Sequence, residues 1–506
     1  MGSPIKKLAS QTAIYGLSSI VGRLANYLLL TPLYTDSDIF SKEQFGVVTN
    51  TYAWVAVSII FFTYGLETGY FRFASKKGYN QRKVFSTSLI SVLSTALLFV
   101  GTILLYSKEI AATIGYPDHG EYIEYLAIII GLDAVASIPF AKLRLDEKPI
   151  RFAIIRLVNL GVNIGLNFFF YIICPWYIET YNYDTINSVI YSFYDPSVGV
   201  GYVFVSNLIA SLITFILLGP QILKHTWKFD VKLWKELIKY CWPLLVVGLA
   251  GSLNQHFDKL IIKYLVPGGL GDSETGIYGA IYKLSIFIIL FIQAFQYAAE
   301  PFFFNQAKEK DSRKIYAKIL KYFTILTSAA FLAILLYIDL VKQFIRSAEY
   351  YEGLYVLPWL LMSAVFYGIY YNLSFWYKLS GKTYFGAIIS GIGSILTLVG
   401  NIILIPYFEA INPGNGYFGA AITTFFCFLI MSVISYLLGQ KYYPVKYEVG
   451  KILGYLVLAF ILFLTSYFLI SDLNLTVKLC LNTLILLGYI GIAYIFEKSK
   501  KQKPIK

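Results

Sequence analysis

The chain has 506 residues, of which 57% are hydrophobic and only 14% charged, and its net charge is +13. A soluble globular protein has about 25% charged residues, so the polar surface is too small to cover a soluble fold of this length. The four cysteines and three histidines show no metal-ligand or disulfide spacing, and the basic residues lie in short loops between apolar runs. This pattern argues against a zinc site, a disulfide framework and a nucleic-acid partner.

Long apolar runs recur along the whole chain. A helix needs about 20 apolar residues to cross the hydrocarbon core of a membrane. The sequence therefore predicts an all-α integral membrane protein with fourteen transmembrane helices. Their predicted positions are 11–34, 45–70, 85–106, 122–143, 152–174, 197–219, 236–265, 277–304, 319–338, 353–377, 384–407, 417–438, 451–471 and 479–496.

The distribution of basic residues predicts the orientation of these helices. With the N-terminus inside, 32 of the 42 Lys and Arg residues fall at the cytoplasmic loops and tails. This bias obeys the positive-inside rule and predicts that both termini are cytoplasmic. The longest outer loop, about 175–196, is too short for the large outer loop of a membrane glycosyl polymerase or ligase.

An internal repeat appears at an offset of 233 residues. Glu67 follows Gly46 by 21 residues in span 2, and Glu300 follows Gly279 by 21 residues in span 8, with an aromatic residue before each glycine. Repeats of this kind are common in transporters, although glycines and aromatic residues also begin many unrelated spans. The repeat predicts two parallel six-helix bundles, followed by two extra C-terminal helices and a basic cytoplasmic tail. The predicted ranges are 1–235, 236–450 and 451–506.

Several ionisable residues fall inside the predicted spans. A charge at the bilayer centre costs ~2.5–3.5 kcal/mol even on the most lenient scale, so such residues should face a cavity or a partner. They predict a hydrated, cationic cavity suited to an anionic substrate. An alternative is internal ion pairing, in which Asp258 neutralises Lys259 or Arg23. The candidate cavity residues are Arg23, Asp133, His256, Asp258 and Lys259.

Glu67 and Glu300 occupy equivalent places at the inner ends of spans 2 and 8. They are candidate gate residues that pair with nearby cations such as Arg72 and Arg151, and the alternative is ordinary helix-end packing. No P-loop, HExxH or GxSxG motif occurs in a suitable context, which indicates a transporter rather than an enzyme. No metal site is predicted.

Two segments carry a family resemblance. The stretch 64–73, with sequence YGLETGYFRF, and the stretch 278–304, which ends in QYAAEPFFF, are similar to spans of bacterial polysaccharide flippases. With its fourteen spans and short basic loops, the chain resembles the O-antigen and capsule repeat-unit flippases. These proteins belong to the multidrug/oligosaccharidyl-lipid/polysaccharide flippase superfamily.

The resemblance implies translocation of undecaprenyl-pyrophosphate-linked oligosaccharide across the bacterial inner membrane by alternating access, with two bundles flanking a cationic cavity. It implies no cofactor. Whether a coupling cation, H⁺ or Na⁺, takes part is left open. Its partners would be the lipid-linked substrate, membrane lipids, and the polymerase and glycosyltransferases of the pathway. The alternatives are a lipid II flippase, a cation-coupled multidrug exporter of the same superfamily and, less favoured, a glycosyl polymerase or ligase.

Overall fold

The computed structural model describes residues 20–76, 78–180, 190–223, 227–306 and 311–498, without the side chains of 297, 298, 300, 301 and 304–306. The regular secondary structure of these residues is entirely helical. A helix satisfies its own backbone hydrogen bonds, which lipid cannot do. The predicted all-α membrane fold is confirmed.

The first ten helices cover the N-terminal half of the chain. This half also contains a π-helical turn, Phe169–Ile173, and a short 3₁₀ turn, Pro196–Val198. The helices are α1 (20–34), α2 (Lys42–Thr63), α3 (Leu66–Ala74), α4 (Gln81–Leu105), α5 (Ser107–Thr113), α6 (Gly120–Leu145), α7 (Pro149–Phe168), α8 (Cys174–Thr180), α9 (Gly201–Leu223) and α10 (Val231–Leu265).

The remaining helices follow with short connections. Two 3₁₀ segments, Lys342–Phe344 and Ala348–Val356, lie between α13 and α14. The helices are α11 (Gly271–Gln306), α12 (Ser312–Leu336), α13 (Ile338–Val341), α14 (Leu357–Leu373), α15 (Phe375–Leu379), α16 (Tyr384–Ile411), α17 (Gly416–Tyr442), α18 (Val449–Leu469) and α19 (Leu475–Lys498).

Thirteen segments of the described chain are long and apolar enough to cross a membrane. They correspond to predicted spans 2 to 14. The first predicted span, 11–34, lies partly outside the described residues, and its described part, 20–34, is helical. The protein is therefore a multi-pass membrane protein.

The chain forms two compact units, Met1–Leu260 and Ile261–Lys506. The repeat places the boundary at 235/236, in the first turns of α10, whereas most of α10 belongs to the first unit. There it contacts α2, because Ser252 donates a hydrogen bond to the Ala56 carbonyl at 3.0 Å. The repeat-based bundle ranges stay a prediction, since compactness and repeat ancestry are different properties.

A break between α2 and α3 shapes the first unit. Tyr64 and Gly65 both have positive φ, 32° and 74°, which ends α2 and redirects the chain into α3. Glycine adopts this conformation without the steric cost that other residues incur. The break packs against α10, where a Cβ on Gly69 would lie 2.5 Å from Sγ of Cys241. In the second copy of the repeat, by contrast, α11 runs without a break from Gly271 to Gln306.

Helices α16 and α17 of the second unit cross at close range. A Cβ on Gly419 would lie 2.4 Å from the carbonyl carbon and oxygen of Leu404, which are backbone atoms that cannot rotate away. This approach requires glycine in α17.

We expect Gly419→Ala to destabilise the second unit by roughly 1–3 kcal/mol, the usual cost of overpacking a close contact. The matched control is Gly391→Ala in α16, where an added Cβ meets no atom within 4 Å. Alanine is the better helix former, so the control should be neutral or slightly stabilising. Melting temperature and the yield of monodisperse protein are the measurements. Equal behaviour of both variants would contradict the prediction.

The two C-terminal helices, α18 and α19, pack along α12. In the first half of α12, Lys321 pairs with Glu448, at 2.8 Å, and with Glu497. At its other end, Asn482 of α19 donates to the Leu336 carbonyl at 2.7 Å. These contacts attach both ends of the helical pair to the second unit.

Just beyond α12, Asp339 accepts hydrogen bonds from Lys342, at 2.7 Å, and from Lys478, at 2.6 Å. Burial alone would raise the pKa of the Asp339 carboxyl, but its two lysine partners outweigh burial and hold the pKa below its ordinary value. The Asp339 carboxylate therefore remains charged and ties α19 to the connection after α12.

Candidate functional site

Helices α7 and α9 of the first unit each present a row of polar side chains at membrane depth. On α7, Arg156 is followed by Asn159, Asn163 and Asn167 at the spacing of one helix face. The amide of Asn159 donates to Oγ1 of Thr214 on α9 at 2.9 Å, which joins the two rows. The sequence contained this signal as helical periodicity of polar residues. Attention to ionisable groups alone missed it.

Asp133, in the middle of α6, lies among these polar groups. Its carboxylate accepts a hydrogen bond from Ser211 on α9 at 3.0 Å, and the positive charge of Arg156 stabilises the negative charge of this carboxylate. One turn away on α9, Asn207 donates to the hydroxyl of Tyr52 on α2 at 3.0 Å. We call Tyr52, Asp133, Arg156, Asn207 and Ser211 the Asp133 cluster.

The side chains of Asp133 and Arg156 are both exposed, although they lie within membrane-spanning helices. Exposed charges at this depth are costly in hydrocarbon and are usually found where water reaches them. The Asp133 cluster is therefore suited to a hydrated face of the first unit.

Arg23 is also exposed, on α1. It lies one turn before Tyr27 and two turns before Leu30 on the same helix face, and both of those residues are 4% exposed. Arg23 therefore lies on the packed side of α1. This position suits a residue that faces a polar ligand or water better than one that faces lipid.

Asp258 and Lys259 form a buried ion pair in α10. Nζ of Lys259 lies 3.0 Å from Oδ1 of Asp258, and the two residues are 7% and 2% exposed. The alternative of internal ion pairing is thus the arrangement that the structure contains for these two residues. His256 is half-buried one turn earlier.

Helix α2 lies between this ion pair and the Asp133 cluster. Asn50 of α2 donates to the Lys259 carbonyl at 3.0 Å, whereas Tyr52 of α2 reaches Asn207. Successive helical residues are 100° apart, so positions 50 and 52 point in nearly opposite directions. The structure does not bring the predicted cavity residues together as one lining, because it places Asp258 and Lys259 on the other side of α2 from Asp133.

Glu67 begins α3 and forms an ion pair with Arg144 in the last turn of α6. The positive end of α3 and the negative end of α6 favour these two charges. The sequence suggested Arg72 or Arg151 as the partner of Glu67. The observed partner, Arg144, is 77 positions away along the chain. Arg72 instead lies 4.3 Å from the ring of Tyr240. The side chain of Glu300 lies outside the described residues.

We expect Glu67→Gln and Arg144→Gln to slow transport by similar factors, about two- to fivefold. The pair is partly exposed, and such pairs contribute only ~0–1 kcal/mol. The charge-exchanged double variant, Glu67→Arg with Arg144→Glu, should recover part of the rate. The matched control is Arg72→Gln, whose side chain stacks on Tyr240. Initial transport rates are the measurement, and a fully additive double variant would argue against a coupled gate.

No cluster of three or more His, Cys, Asp or Glu side chains with metal-binding geometry occurs in the described part of the chain. The Asp133 cluster instead combines hydrogen-bonding groups with one carboxylate and one guanidinium. Their chemistry is that of binding and orientation.

The fold is that of transporters and flippases of the MOP superfamily. The chain superposes on the lipid II flippase MurJ, in an inward closed conformation, with a TM-score of 0.68 at 16% identity over 95% of this chain and 98% of that one. An inward-facing multidrug resistance MATE transporter superposes with a TM-score of 0.63 at 14% identity, over 85% of this chain and 94% of that one. A MOP superfamily transporter from Pyrococcus furiosus Vc1 superposes with a TM-score of 0.56 at 13% identity, over 85% of this chain and 95% of that one.

Residues 38–354 match the polysaccharide biosynthesis protein family, and the chain belongs to this family. This match confirms the resemblance that stretches 64–73 and 278–304 indicate. No curated protein matches the sequence.

Proposed function

We propose that this protein is a flippase that moves undecaprenyl-pyrophosphate-linked oligosaccharide from the inner to the outer leaflet of the bacterial cytoplasmic membrane. The observation that carries this proposal is the combination of family and fold. The chain belongs to a polysaccharide biosynthesis family, and its membrane helices have the fold of flippases and transporters. Both properties fit a protein that moves the lipid-linked intermediate. Alternating access is the mechanism that transporters of this general kind use.

The chemistry of the substrate agrees with the charges of the first unit. A pyrophosphate group is anionic, and an arginine guanidinium binds phosphate through a planar fork of donors. Arg23 is exposed on α1 and Arg156 is exposed on the membrane-spanning helix α7, and Asp133 is the carboxylate of the Asp133 cluster. Amide and hydroxyl groups of the Asp133 cluster can hydrogen-bond sugars. The polyprenyl chain is apolar and can remain in the lipid.

The proposal is tested by depleting the protein in the bacterium that encodes it and locating the lipid-linked oligosaccharide. We expect the oligosaccharide to accumulate in the inner leaflet. Membrane-impermeant periodate should then fail to oxidise it in spheroplasts but should oxidise it in inverted vesicles. Re-expression of the wild-type chain should restore access from outside.

Other outcomes of this experiment identify the alternatives. Accumulation of lipid II, with normal outer-leaflet oligosaccharide, would replace the proposal by a lipid II flippase. Normal distribution of both lipids, with increased retention of cationic drugs, would replace it by a multidrug exporter. Failure of chain elongation in an in vitro assay of the purified protein is expected, and elongation there would indicate a polymerase.

A further inference from the structure

The second unit contains two neighbouring buried carboxyl groups. Glu274 lies in the first turn of α11, and Glu409 lies near the end of α16. The two residues are 2% and 6% exposed, and their carboxyl groups are neighbours, because they accept hydrogen bonds from the consecutive backbone amides of Tyr417 and Gly416, each at 3.0 Å. Two carboxylates in contact repel each other strongly, so such a pair normally keeps one proton.

The hydrogen bonds around the pair distinguish its two members. Glu409 accepts from the backbone amides of Gly414, at 3.1 Å, Asn415, at 3.2 Å, and Gly416, at 3.0 Å. Three N–H donors and the positive end of α17 stabilise a negative charge. Glu409 is therefore the ionised member.

Glu274 has the complementary environment. Its Oε2 accepts from the Tyr417 amide at 3.0 Å, but its Oε1 is buried and meets no donor among the residues that the structure describes. A carboxyl oxygen in this position is satisfied if it carries a proton and donates it to the neighbouring carboxylate. The site also depends on a glycine, because a Cβ at Gly416 would lie 3.0 Å from Oε2 of Glu274.

A metal cation fits this site poorly. The amide hydrogens that surround Glu409 carry partial positive charge and point at the oxygens that a cation would need. The other titratable groups near Glu274 are Tyr355 and Tyr417, both neutral phenols near neutral pH, and Glu352, which acts on the same two tyrosines. Asp272, in the same turn as Glu274, is paired with Lys263 at 3.0 Å.

We propose that Glu274 and Glu409 form a proton-binding site, in which one shared proton holds the loop between α16 and α17 against the start of α11. The ligand of this site is a single proton, carried by Glu274 and accepted by Glu409. Loss of the proton places two negative charges in contact and releases the loop. The proposal is independent of the transported substrate.

Infrared spectroscopy of the full-length protein in lipid tests the site directly. We expect a carbonyl band of a protonated carboxylic acid at neutral pH that disappears reversibly as pH rises. This band should be missing in Glu274→Gln and retained in the control Asp472→Asn, which removes an exposed carboxylate of the same unit. A wild-type spectrum with no such band, or a band unchanged in Glu274→Gln, would overturn the proposal.

Thermal unfolding supplies a second measurement. An unfolded glutamate loses its proton near pH 4.3, so the folded state holds a proton that the unfolded chain has lost. Stability therefore falls as pH rises through the titration of the pair. Glutamine at 274 can still donate to Glu409, so Glu274→Gln should remove this fall in melting temperature. Glu409→Gln turns an amide N–H toward backbone donors and should lower the melting temperature at every pH. Equal effects of the two substitutions would contradict the assignment of the proton.

Discussion

Replacement of Arg23 by alanine is expected to reduce translocation of the lipid-linked oligosaccharide at least tenfold, with an unchanged amount of protein in the membrane. The side chain is exposed, so its removal leaves no cavity in the core. A hydrogen bond to a charged group contributes about 1.5–3 kcal/mol, and each 1.4 kcal/mol corresponds to a factor of ten. Loss of a two-pronged contact with pyrophosphate is therefore a large effect.

Arg23→Lys should restore only part of the rate, because an ammonium keeps the charge but lacks the planar fork. The control is Arg82→Ala, which removes an exposed arginine from the first turn of α4. Transport is measured in vesicles with a fluorescent lipid-linked oligosaccharide, and abundance by quantitative immunoblotting. Normal transport by Arg23→Ala would show that the headgroup is bound by other residues, without affecting the family assignment.

Replacement of Lys321 by methionine should destabilise the attachment of the two C-terminal helices by up to about 3–5 kcal/mol, the cost of removing one partner from a buried ion pair. The lysine is 4% exposed and lies between the carboxylates of Glu448 and Glu497. Lys451 still pairs with both carboxylates, at 3.4 Å from Glu448 and 2.6 Å from Glu497, but two negative charges then face one positive charge. Lower yield and a lower melting temperature are expected.

A second substitution distinguishes charge imbalance from lost packing. Adding Glu497→Gln to Lys321→Met restores neutrality and should recover part of the melting temperature. Lys314→Met on the same helix is the matched control, because its pair with Asp311 is largely exposed, at 79% and 68% of the two side chains. Exposed pairs contribute little to stability. A Lys321→Met protein as stable as this control would show that the ion network does not hold α18 and α19.

The charged residues of α10 show where reasoning from the sequence reached its limit. Hydropathy placed Asp258 and Lys259 within a span, and the cost of burying charge required a partner or water for each. Both solutions satisfy that requirement, so the sequence could not choose between a cavity lining and an internal pair. The structure contains the pair, on the opposite side of α2 from Asp133.

The sequence also could not predict the polar contacts between distant helices. The partner of Glu67 is Arg144 in α6, and the partner of Glu274 is Glu409 in α16. Neither pair follows a local spacing, since each joins the ends of different helices. The Asn residues of α7 could have been found as a periodic polar row, but not their contacts with α9.

The sequence by itself determined that this protein is a multi-pass helical membrane protein of the polysaccharide biosynthesis family. Membrane insertion depends on the length and apolarity of each segment, which are local properties, and the stretches around Glu67 and Glu300 carry the family resemblance. Only the tertiary structure decided which polar groups meet. All the spans are similarly apolar, so hydropathy cannot specify which helices become neighbours, and each buried charge is satisfied by whichever partner the packing brings within hydrogen-bonding distance.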